Sequence, residues 1–181
     1  MKYFMYPSIL LLAFLCGNAY ATDYVKMYDK IPTKAEMIAD LMPPVPRGIG
    51  TTSISTSPCS ASTFTPITVG ITIQFQLNSS QVTQKTREFV DLLGDALSAD
   101  ELRDCDFEIE GHTDISGSWS HNKLLSKNRA KAVTRYLINH HSISPTRLKA
   151  IGYGEKRLLS GIDSRSAKQR RVQVKNVGRF R

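Results

Sequence analysis

The sequence predicts an α/β domain in which helices pack on a mixed four-stranded sheet, over residues 67–177. Four segments with alternating or β-branched apolar residues predict strands. Two long segments between them carry apolar residues at helical spacing, and a shorter helical segment precedes the last strand. The elements therefore follow the order β-α-β-α-β-(α)-β of a layered sandwich, and the predicted strands are 67–75, 107–110, 148–153 and 171–174.

The first strand and the first helix of this domain follow from local chemistry. Residues 67–75 are rich in β-branched side chains, which favour strands. Ser79 and Ser80 can each cap a helix N-terminus. The helix that follows is expected to turn one apolar stripe to the core, made of Val82, Phe89, Leu92, Leu93, Ala96 and Leu97.

The second half of the domain carries its most distinctive segment. Residues 107–110 alternate as a strand, and Gly-His-Thr-Asp at 111–114 follows directly at the C-terminal end of that strand. The residues between 154 and 164 are the least predictable loop, and a short helical stretch is expected near 164–169. The main helix of this half covers about 122–139 and is expected to bury Leu125, Ala130, Val133 and Leu137.

Residues 1–21 are predicted to be a signal peptide. Lys2 precedes an apolar core at 9–15, and Ala-Tyr-Ala at 19–21 forms a small-x-small cleavage site. The apolar core is too short to cross a bilayer. Cleavage after that site would start the mature chain outside the cytoplasm. Cys16 offers an alternative, because a cysteine that ends an apolar core and precedes glycine resembles the lipidated residue of a bacterial lipoprotein.

Residues 22–66 are predicted to be an arm in front of the domain. Thr33 and Glu36 form a capping box, and the helix they begin has one apolar face, made of Met37, Ile38, Leu41 and Met42. Because so short a helix is marginal alone, this face must dock on something. The protein's own domain is the favoured target, and a partner protein that contacts residues 33–42 is the alternative. Residues 51–66 are rich in Ser and Thr, which is typical of a flexible tether.

Two cysteines, Cys59 and Cys105, remain once the signal peptide is removed. In an oxidising compartment an even pair favours a disulfide, and two free thiols are the alternative. The bond would close a long loop, which is worth about 4 kcal/mol in the chain-entropy model.

The chain has a formal net charge of +8, and the positive charge is concentrated in its last third. Residues 123–181 contain sixteen Lys or Arg residues and two acids. Such a basic region often indicates a protein that binds nucleic acid. An exported protein rarely meets nucleic acid, however, so no nucleic-acid partner is expected. A carboxylate-rich cell-wall polymer, an anionic membrane surface and a simply solvated face remain as interpretations. Residues 178–181 are predicted to be a basic tail.

Motifs scattered through the second half recur at the spacing of a known family. They are Gly-His-Thr-Asp at 111–114, Asn122, Leu-Ser at 125–126, Arg-Ala at 129–130, Arg147, Gly-Tyr-Gly-Glu at 152–155 and Arg-Arg-Val at 170–172. This pattern resembles the OmpA-like peptidoglycan-binding domain over residues 67–177. The resemblance rests on many separated positions and implies the fold of that family.

The resemblance also implies a binding site. Ligands of α/β sheets tend to lie beyond the carboxyl ends of strands, where Asp114 is expected, and Arg129 follows in the next helix. In OmpA-like domains the equivalent acid and base hold the free end of diaminopimelate in the peptidoglycan stem peptide, where one carbon carries an ammonium and a carboxylate. A structural ion pair between the two residues is the alternative. By matching positions, the same pocket would be lined by Asn78, Ser116, Asn122 and Arg170.

The sequence departs from the family pattern in one loop. Gln169 stands where the family has Asn, Arg-Ser at 165–166 replaces Gly-Arg, and the proline usual after Gly-Tyr-Gly-Glu is missing. Because these changes lie at the edge of the expected pocket, they bear on affinity more than on fold, and they make Arg170 a weaker assignment than Arg129.

The sequence contains no convincing catalytic constellation. His112, Asp114 and Ser116 lie close enough for a hydrolase site to be conceivable. A nucleophile elbow, a metal-spaced His pair, paired acid and base carboxylates and a phosphate-binding glycine loop are nevertheless missing. No catalytic residue, metal or cofactor is therefore expected, and His112 is expected to pack or to form hydrogen bonds under the loop.

The sequence thus predicts a noncatalytic peptidoglycan-binding domain in the periplasm of a Gram-negative bacterium, associated with the cell wall and the outer membrane. Its link to a membrane would be a lipid at Cys16 or a partner protein. The alternative is an accessory subunit of an envelope-spanning machine, such as a type IV secretion core complex or a flagellar motor. In that case outer-membrane or secretion-complex proteins would contact the domain, and residues 33–42 are the candidate surface.

Overall fold

The computed structural model describes residues 25–43, 59, 66–71 and 83–180. The predicted signal peptide with Cys16, the candidate site residue Asn78 and most of the Ser/Thr-rich tether lie outside the described residues. Of the first predicted strand, the described part is 67–71.

The described residues form five strands and three α-helices. In chain order they are β1 (Val25–Tyr28), α1 (Lys34–Leu41), β2 (Ile67–Ile71), α2 (Gln84–Leu97), β3 (Asp106–His112), α3 (Trp119–His141), β4 (Leu148–Gly154) and β5 (Val172–Gly178). Single 3₁₀ turns precede the last three strands, at Asp100–Leu102, Pro145–Arg147 and Ala167–Gln169. None of the helices in these stretches of chain is long and apolar enough to cross a membrane.

All five strands belong to one mixed sheet, in the order β1-β2-β5-β3-β4. The two outer pairs, β1 with β2 and β3 with β4, are parallel, and β5 is antiparallel to both of its neighbours. The predicted class, helices packed on a mixed sheet, is therefore confirmed, but the sheet has five strands rather than four. The additional strand is β1. A segment of four residues is too short to show a period, and its pairing with β2 makes it a strand.

One face of the sheet packs against the helices and forms the core. Because successive strand residues point to opposite faces, alternate residues of β2, β3 and β5 lie together on this side. They are the buried residues Val69, Phe107, Ile109, Val172 and Val174. The helices contribute Phe89 and Leu93 from α2 and Val133 and Leu137 from α3 to the same cluster.

The helix α1 belongs to this core. The predicted capping box is present, since Glu36 N donates to Thr33 Oγ1 (3.2 Å) and Thr33 N donates to Glu36 Oε2 (2.8 Å). Met37 and Leu41 have no exposed surface and lie in the core cluster. The apolar face of the arm therefore docks on the protein's own domain, and these two side chains are not available to a partner.

Two helix details differ from the sequence prediction. The N-cap of α2 is Thr83, whose extended backbone and Oγ1, which accepts from Thr86 N (3.3 Å), start the helix four residues after Ser79 and three after Ser80. Leu125 of α3 is only half-buried, whereas Ser126 and Arg129 are buried. Near the N-terminal end of α3, the polar side of the helix therefore faces the sheet.

A disulfide between Cys59 and Cys105 joins the tether to the start of β3. The two Cα atoms are 5.2 Å apart, and both side chains are buried in the core cluster. Asn176 of β5 supports this junction, because its Nδ2 donates to Cys59 Sγ (3.5 Å) and to the carbonyl of Leu41 (2.8 Å). The predicted pairing is confirmed, and it fastens the N-terminal segment to the domain.

Candidate ligand-binding site

Asp114 lies two residues beyond the end of β3, in a loop whose backbone forms hydrogen bonds with other parts of the chain. Thr113 N donates to the carbonyl of Gly154 at the end of β4 (3.0 Å), and Ile115 N donates to the carbonyl of Ser164 (3.3 Å). Asp114 therefore sits at the carboxyl edge of the parallel pair β3 and β4, where sheets of this kind commonly bind ligands.

The carboxylate of Asp114 is nearly buried, at 6% exposure, and both of its oxygens accept hydrogen bonds. Oδ1 accepts from the backbone N–H of Ser116 (2.9 Å), and Oδ2 accepts from Arg170 Nη1 (2.6 Å). Burial by itself would raise the pKa of Asp114, but the hydrogen bonds from Arg170 and Ser116 outweigh it and hold that pKa below its ordinary value. Asp114 is therefore an anion at neutral pH.

Arg129 of α3 brings a second guanidinium to this anion. The side chain is buried, at 5% exposure. Burial and the like charge of Arg170 lower the pKa of Arg129, and the opposite charge of Asp114 raises it. Such influences act over short distances, so the three charges form one cluster. Arg170, the residue that the sequence makes the weaker assignment, forms an ion pair with Asp114.

Two glycines let α3 approach the sheet closely enough to carry Arg129 into this cluster. A Cβ atom on Gly111 of β3 would lie 2.1 Å from the carbonyl oxygen of Ser126, and one on Gly152 of β4 would lie 2.3 Å from Lys127 N. Both are far closer than atoms can pack. Ser126 Oγ joins α3 to the end of β4, since it accepts a hydrogen bond from Gly154 N (2.9 Å) and donates one to the carbonyl of Lys123 in its own helix (3.0 Å). The buried polar side of α3 follows from this approach.

Asn122 and Ser116, two further predicted site residues, lie beside Asp114 and position it. Asn122 is buried, and its Nδ2 donates to the backbone carbonyl of Asp114 (3.3 Å) and to Glu155 Oε2 (2.6 Å). Ser116 is exposed and donates its backbone N–H to the Asp114 carboxylate. The structure thus brings five of the six predicted residues together, and the sixth, Asn78, lies outside the described residues.

Gln169 organises the loop that carries Arg170. Its side chain is fully buried, and its Oε1 accepts from Leu159 N (2.8 Å). Its Nε2 donates to the carbonyls of Leu159 (3.3 Å), Ile162 (3.1 Å) and Asp163 (3.2 Å). The residue that appears in the sequence as a departure from the family pattern is therefore the centre of the loop. A buried amide of this kind cannot be recognised from sequence, because its partners are backbone groups.

The geometry does not support a hydrolase at this edge. His112 is buried at 1% exposure and stacks on Tyr153, with ring centroids 5.6 Å apart. Burial above all lowers the pKa of His112 to about 4, so the ring is neutral at pH 7. Among the residues that the structure describes, no group of three or more His, Cys, Asp or Glu side chains could hold a metal ion. The arrangement can bind charged groups.

The sequence and the fold both match known proteins. The model of the OmpA family matches residues 74–172. The peptidoglycan-associated lipoprotein of Pseudomonas aeruginosa is 35% identical over 106 residues, which are 58% of this chain and 61% of that relative. The chain therefore spans less than two thirds of the length of this relative.

Two solved structures share the fold. The OmpA-like domain of FopA1 from Francisella tularensis matches with a TM-score of 0.52 at 17% identity, over 61% of this chain and 71% of that one. A putative MotB-like protein from Desulfovibrio vulgaris matches with a TM-score of 0.53 at 23% identity, over 64% and 75%. Identities this low establish the fold alone. Because the family model covers more than half of the sequence and includes the whole Asp114 cluster, this chain belongs to the OmpA family.

Proposed function

We propose that the cluster of Asp114, Arg129 and Arg170 binds the free end of diaminopimelate in the stem peptide of peptidoglycan, without catalysis. The observation that carries the proposal is one buried carboxylate beside two guanidiniums at the carboxyl edge of the sheet. The free end of diaminopimelate carries an ammonium and a carboxylate on one carbon. An anion and a planar guanidinium fork complement these two groups.

The charges explain how the ligand end would enter. Arg170 Nη1 bonds Asp114 Oδ2, and the side chain of Arg170 is about half-exposed. Arg170 can therefore swing toward a ligand carboxylate while the ligand ammonium takes its place on Asp114. Arg129, held in the buried wall, is the second donor for that carboxylate. Each such charge-assisted hydrogen bond contributes roughly 1.5–3 kcal/mol.

The neighbouring residues serve orientation in this proposal. Ser116 N donates a hydrogen bond to one carboxylate oxygen of Asp114. Asn122 donates hydrogen bonds both to the backbone carbonyl of Asp114 and to Glu155. A fixed carboxylate loses little freedom when a ligand binds, which favours affinity. Asn78 remains a predicted lining residue.

The names of the relatives support a proposed cellular role. Curated relatives are called peptidoglycan-associated lipoprotein and outer membrane porin F. We place this chain likewise in the periplasm of a Gram-negative bacterium, where it would hold the outer membrane or an envelope complex to the wall. The membrane link would be a lipid at Cys16 or a partner protein. If the domain does not bind wall material, the better function is an accessory subunit of an envelope-spanning machine.

Cosedimentation with purified sacculi tests the proposal. Asp114→Asn keeps the shape of the side chain and removes its charge, and Arg129→Ala removes one donor. Each should weaken binding to diaminopimelate-type sacculi by at least about tenfold, the lower end of one charge-assisted hydrogen bond. Arg135→Ala is the matched control, since Arg135 is an exposed arginine of the same helix, and it should bind as the wild type does.

Two further comparisons distinguish specific recognition of diaminopimelate from general attraction between the basic surface and the wall. Walls that contain lysine in place of diaminopimelate should bind poorly, because lysine lacks the carboxylate that Arg129 would hold. Equal binding by wild type, both site variants and Arg135→Ala would show that the basic surface alone attracts the wall. Circular dichroism of each variant verifies that the domain is folded.

A further inference from the structure

A second pocket lies on the face of the sheet opposite the helices. Its volume is about 680 Å³, within the range of ligand sites. Glu110 and His112 of β3 and Gln173 of β5 form its floor, and Met27 of β1 lines one side. The segment 157–162, which follows β4, covers it with Leu158, Leu159 and Ile162. Asp114, Arg129 and Arg170 do not line this pocket.

The floor contains buried polar atoms that lack hydrogen-bond partners among the described residues. Glu110 is 2% exposed, and its Oε1 accepts no hydrogen bond. Neither ring nitrogen of His112 has a hydrogen-bond partner in the part of the chain that the structure describes. Arg157 Nη1 lies 3.6 Å from Glu110 Oε1 and His112 Nε2 lies 3.8 Å from Glu110 Oε2, and both distances are too long for hydrogen bonds. Buried polar groups are normally satisfied, so these three atoms point to a bound molecule.

The surrounding side chains are held in place, which distinguishes a built site from a packing defect. Arg171 donates through Nε to Gln173 Oε1, through Nη1 to the carbonyl of Gln169 (3.3 Å) and through Nη2 to the carbonyl of Arg157 (2.8 Å). The guanidinium of Arg157 lies 3.8 Å from the centre of the Tyr153 ring. The walls are therefore fixed by hydrogen bonds and stacking, while the acceptors on the floor remain available.

We propose that this pocket binds a neutral, hydroxyl-rich molecule of the saccharide class, such as one or two sugar units. Three features of the lining support that class.

The first feature is charge. Arg157, Arg171 and Lys168 face Asp29 and Glu110 around the pocket, so a cation would meet an excess of positive charge. A multivalent anion would meet the buried carboxylate of Glu110. A neutral ligand avoids both costs, since a buried charge must be paired.

The second feature is the kind of hydrogen bond that is missing. Glu110 needs a donor, and neutral His112 needs a donor for one nitrogen and an acceptor for the other. A hydroxyl group is both donor and acceptor, so a hydroxyl-rich ligand can supply both kinds of partner. An amine or a carboxylate alone cannot.

The third feature is the apolar cover. Met27, Leu158 and Ile162 would contact the C–H face of a sugar ring while its hydroxyls face the floor. Water molecules could also satisfy the floor atoms, but water gains nothing from apolar walls. A protein side chain inserted from a partner is the other occupant that the test must separate.

The pocket is adjacent to the Asp114 cluster, but Asp114, Arg129 and Arg170 are not among its lining residues. His112 and Asp114 are two residues apart, and the neighbouring residues Arg170 and Arg171 reach the cluster and the pocket respectively. The two sites can therefore fail separately. Wall binding through Asp114 is read from sacculi, and saccharide binding is read from soluble sugars.

Titration of the purified mature chain with soluble saccharides tests the proposal. The probes are glucose, N-acetylglucosamine and the β-1,4-linked tetramer of N-acetylglucosamine, each raised to its solubility limit. The readout is the imidazole Hε1 resonance of His112 in a ¹H–¹³C spectrum, with calorimetry for affinity. At least one probe should shift that resonance saturably. Preference for the monomers would indicate a free sugar as the natural ligand, and preference for the tetramer would indicate a polymer chain.

Variants locate the binding on the floor of the pocket. Glu110→Gln should weaken the affinity for the best probe by at least about tenfold, because it replaces a carboxyl oxygen with an amide group. Glu108→Gln is the matched control, because Glu108 is on the same strand and the same face but does not line the pocket, and it should bind as the wild type does. If Glu110→Gln fails to fold, His112→Phe keeps the stacked ring, removes both nitrogens and should show the same loss.

The proposal is overturned if no probe shifts His112 saturably, which would leave water or a partner side chain as the occupant. It is equally overturned if Glu108→Gln weakens binding as much as Glu110→Gln does, since the binding would then lie elsewhere on the sheet.

Discussion

The two faces of the sheet are made from alternate residues of the same strands, and they bury opposite kinds of side chain. Along β3, Phe107 and Ile109 face the helices in an apolar core, whereas Glu110 and His112 face the opposite side in a polar pocket. Both sets are almost completely removed from water. Burial therefore does not distinguish the faces, but the partners of the buried atoms do.

The comparison separates stability from binding. On the helix face, apolar atoms meet apolar atoms and the folded state gains from burial. On the pocket face, polar atoms without hydrogen bonds reduce stability unless a ligand supplies partners. Asp114 is an intermediate case, since it is buried and charged but accepts two hydrogen bonds. We therefore expect changes on the helix face to unfold the domain and changes on the pocket face mainly to alter binding and pH response.

The largest effect is expected from Leu41→Ala, on the helix side. Leu41 is fully buried in the core cluster, so the substitution leaves a cavity and should lower the free energy of unfolding by about 2–5 kcal/mol. Urea unfolding followed by circular dichroism measures it. Ile38→Ala, in the same helix but half-buried, should cost less. Wild-type stability in Leu41→Ala would mean that α1 is not part of the cooperative unit and that residues 33–42 are available to a partner.

An intermediate effect is expected from acidification, through His112. Its folded pKa of about 4 lies below the ordinary value of 6.5, because burial, Arg171 and Arg157 oppose the charged form more than Glu110 favours it. The unfolded chain then binds more protons between these two values, so stability falls as pH drops through that window. Between pH 7 and pH 5 the contribution of His112 should fall by about 2 kcal/mol.

Urea unfolding of wild type and His112→Phe at both pH values checks this prediction. The variant should lose that part of the pH dependence, because phenylalanine has no proton to bind. If the free energy of unfolding depends on pH equally in the two proteins, the folded state does not lower the pKa of His112.

The smallest effect is expected from Glu108→Gln, which removes an ion pair at the exposed edge of the pocket face. Glu108 Oε1 lies 3.3 Å from Lys149 Nζ, and the lysine side chain is mostly exposed. Solvent screens such pairs, so the free energy of unfolding should change by less than about 1 kcal/mol. A double-mutant cycle with Lys149→Ala measures the coupling directly. A larger coupling would mean that the pocket face contributes to stability as the core does.

Much of the domain could be predicted from the sequence because its signals are local. The alternation at 107–110 and the helical spacing at 122–139 predict β3 and α3, with boundaries extended by the structure. The capping box of α1 is likewise a contact between residues three apart. The prediction of the α2 start at Ser79 or Ser80 is wrong, since the N-cap is Thr83, another of the nearby hydroxyl residues that can cap a helix.

The sequence by itself therefore determined the order of the elements from β2 onward, the edge of the sheet at which Asp114 lies, and the two cysteines available for a disulfide. Each rests on periodicity, on a turn motif or on composition. The tertiary structure decided that β1 completes the sheet, that Arg170 bonds Asp114, and that Gln169 holds the loop between the two sites. It also decided that Glu110 and His112 share a pocket with residues from four other parts of the chain. These outcomes depend on contacts between residues far apart in sequence, whose distances are set by how the sheet pairs and how closely Gly111 and Gly152 let α3 approach it.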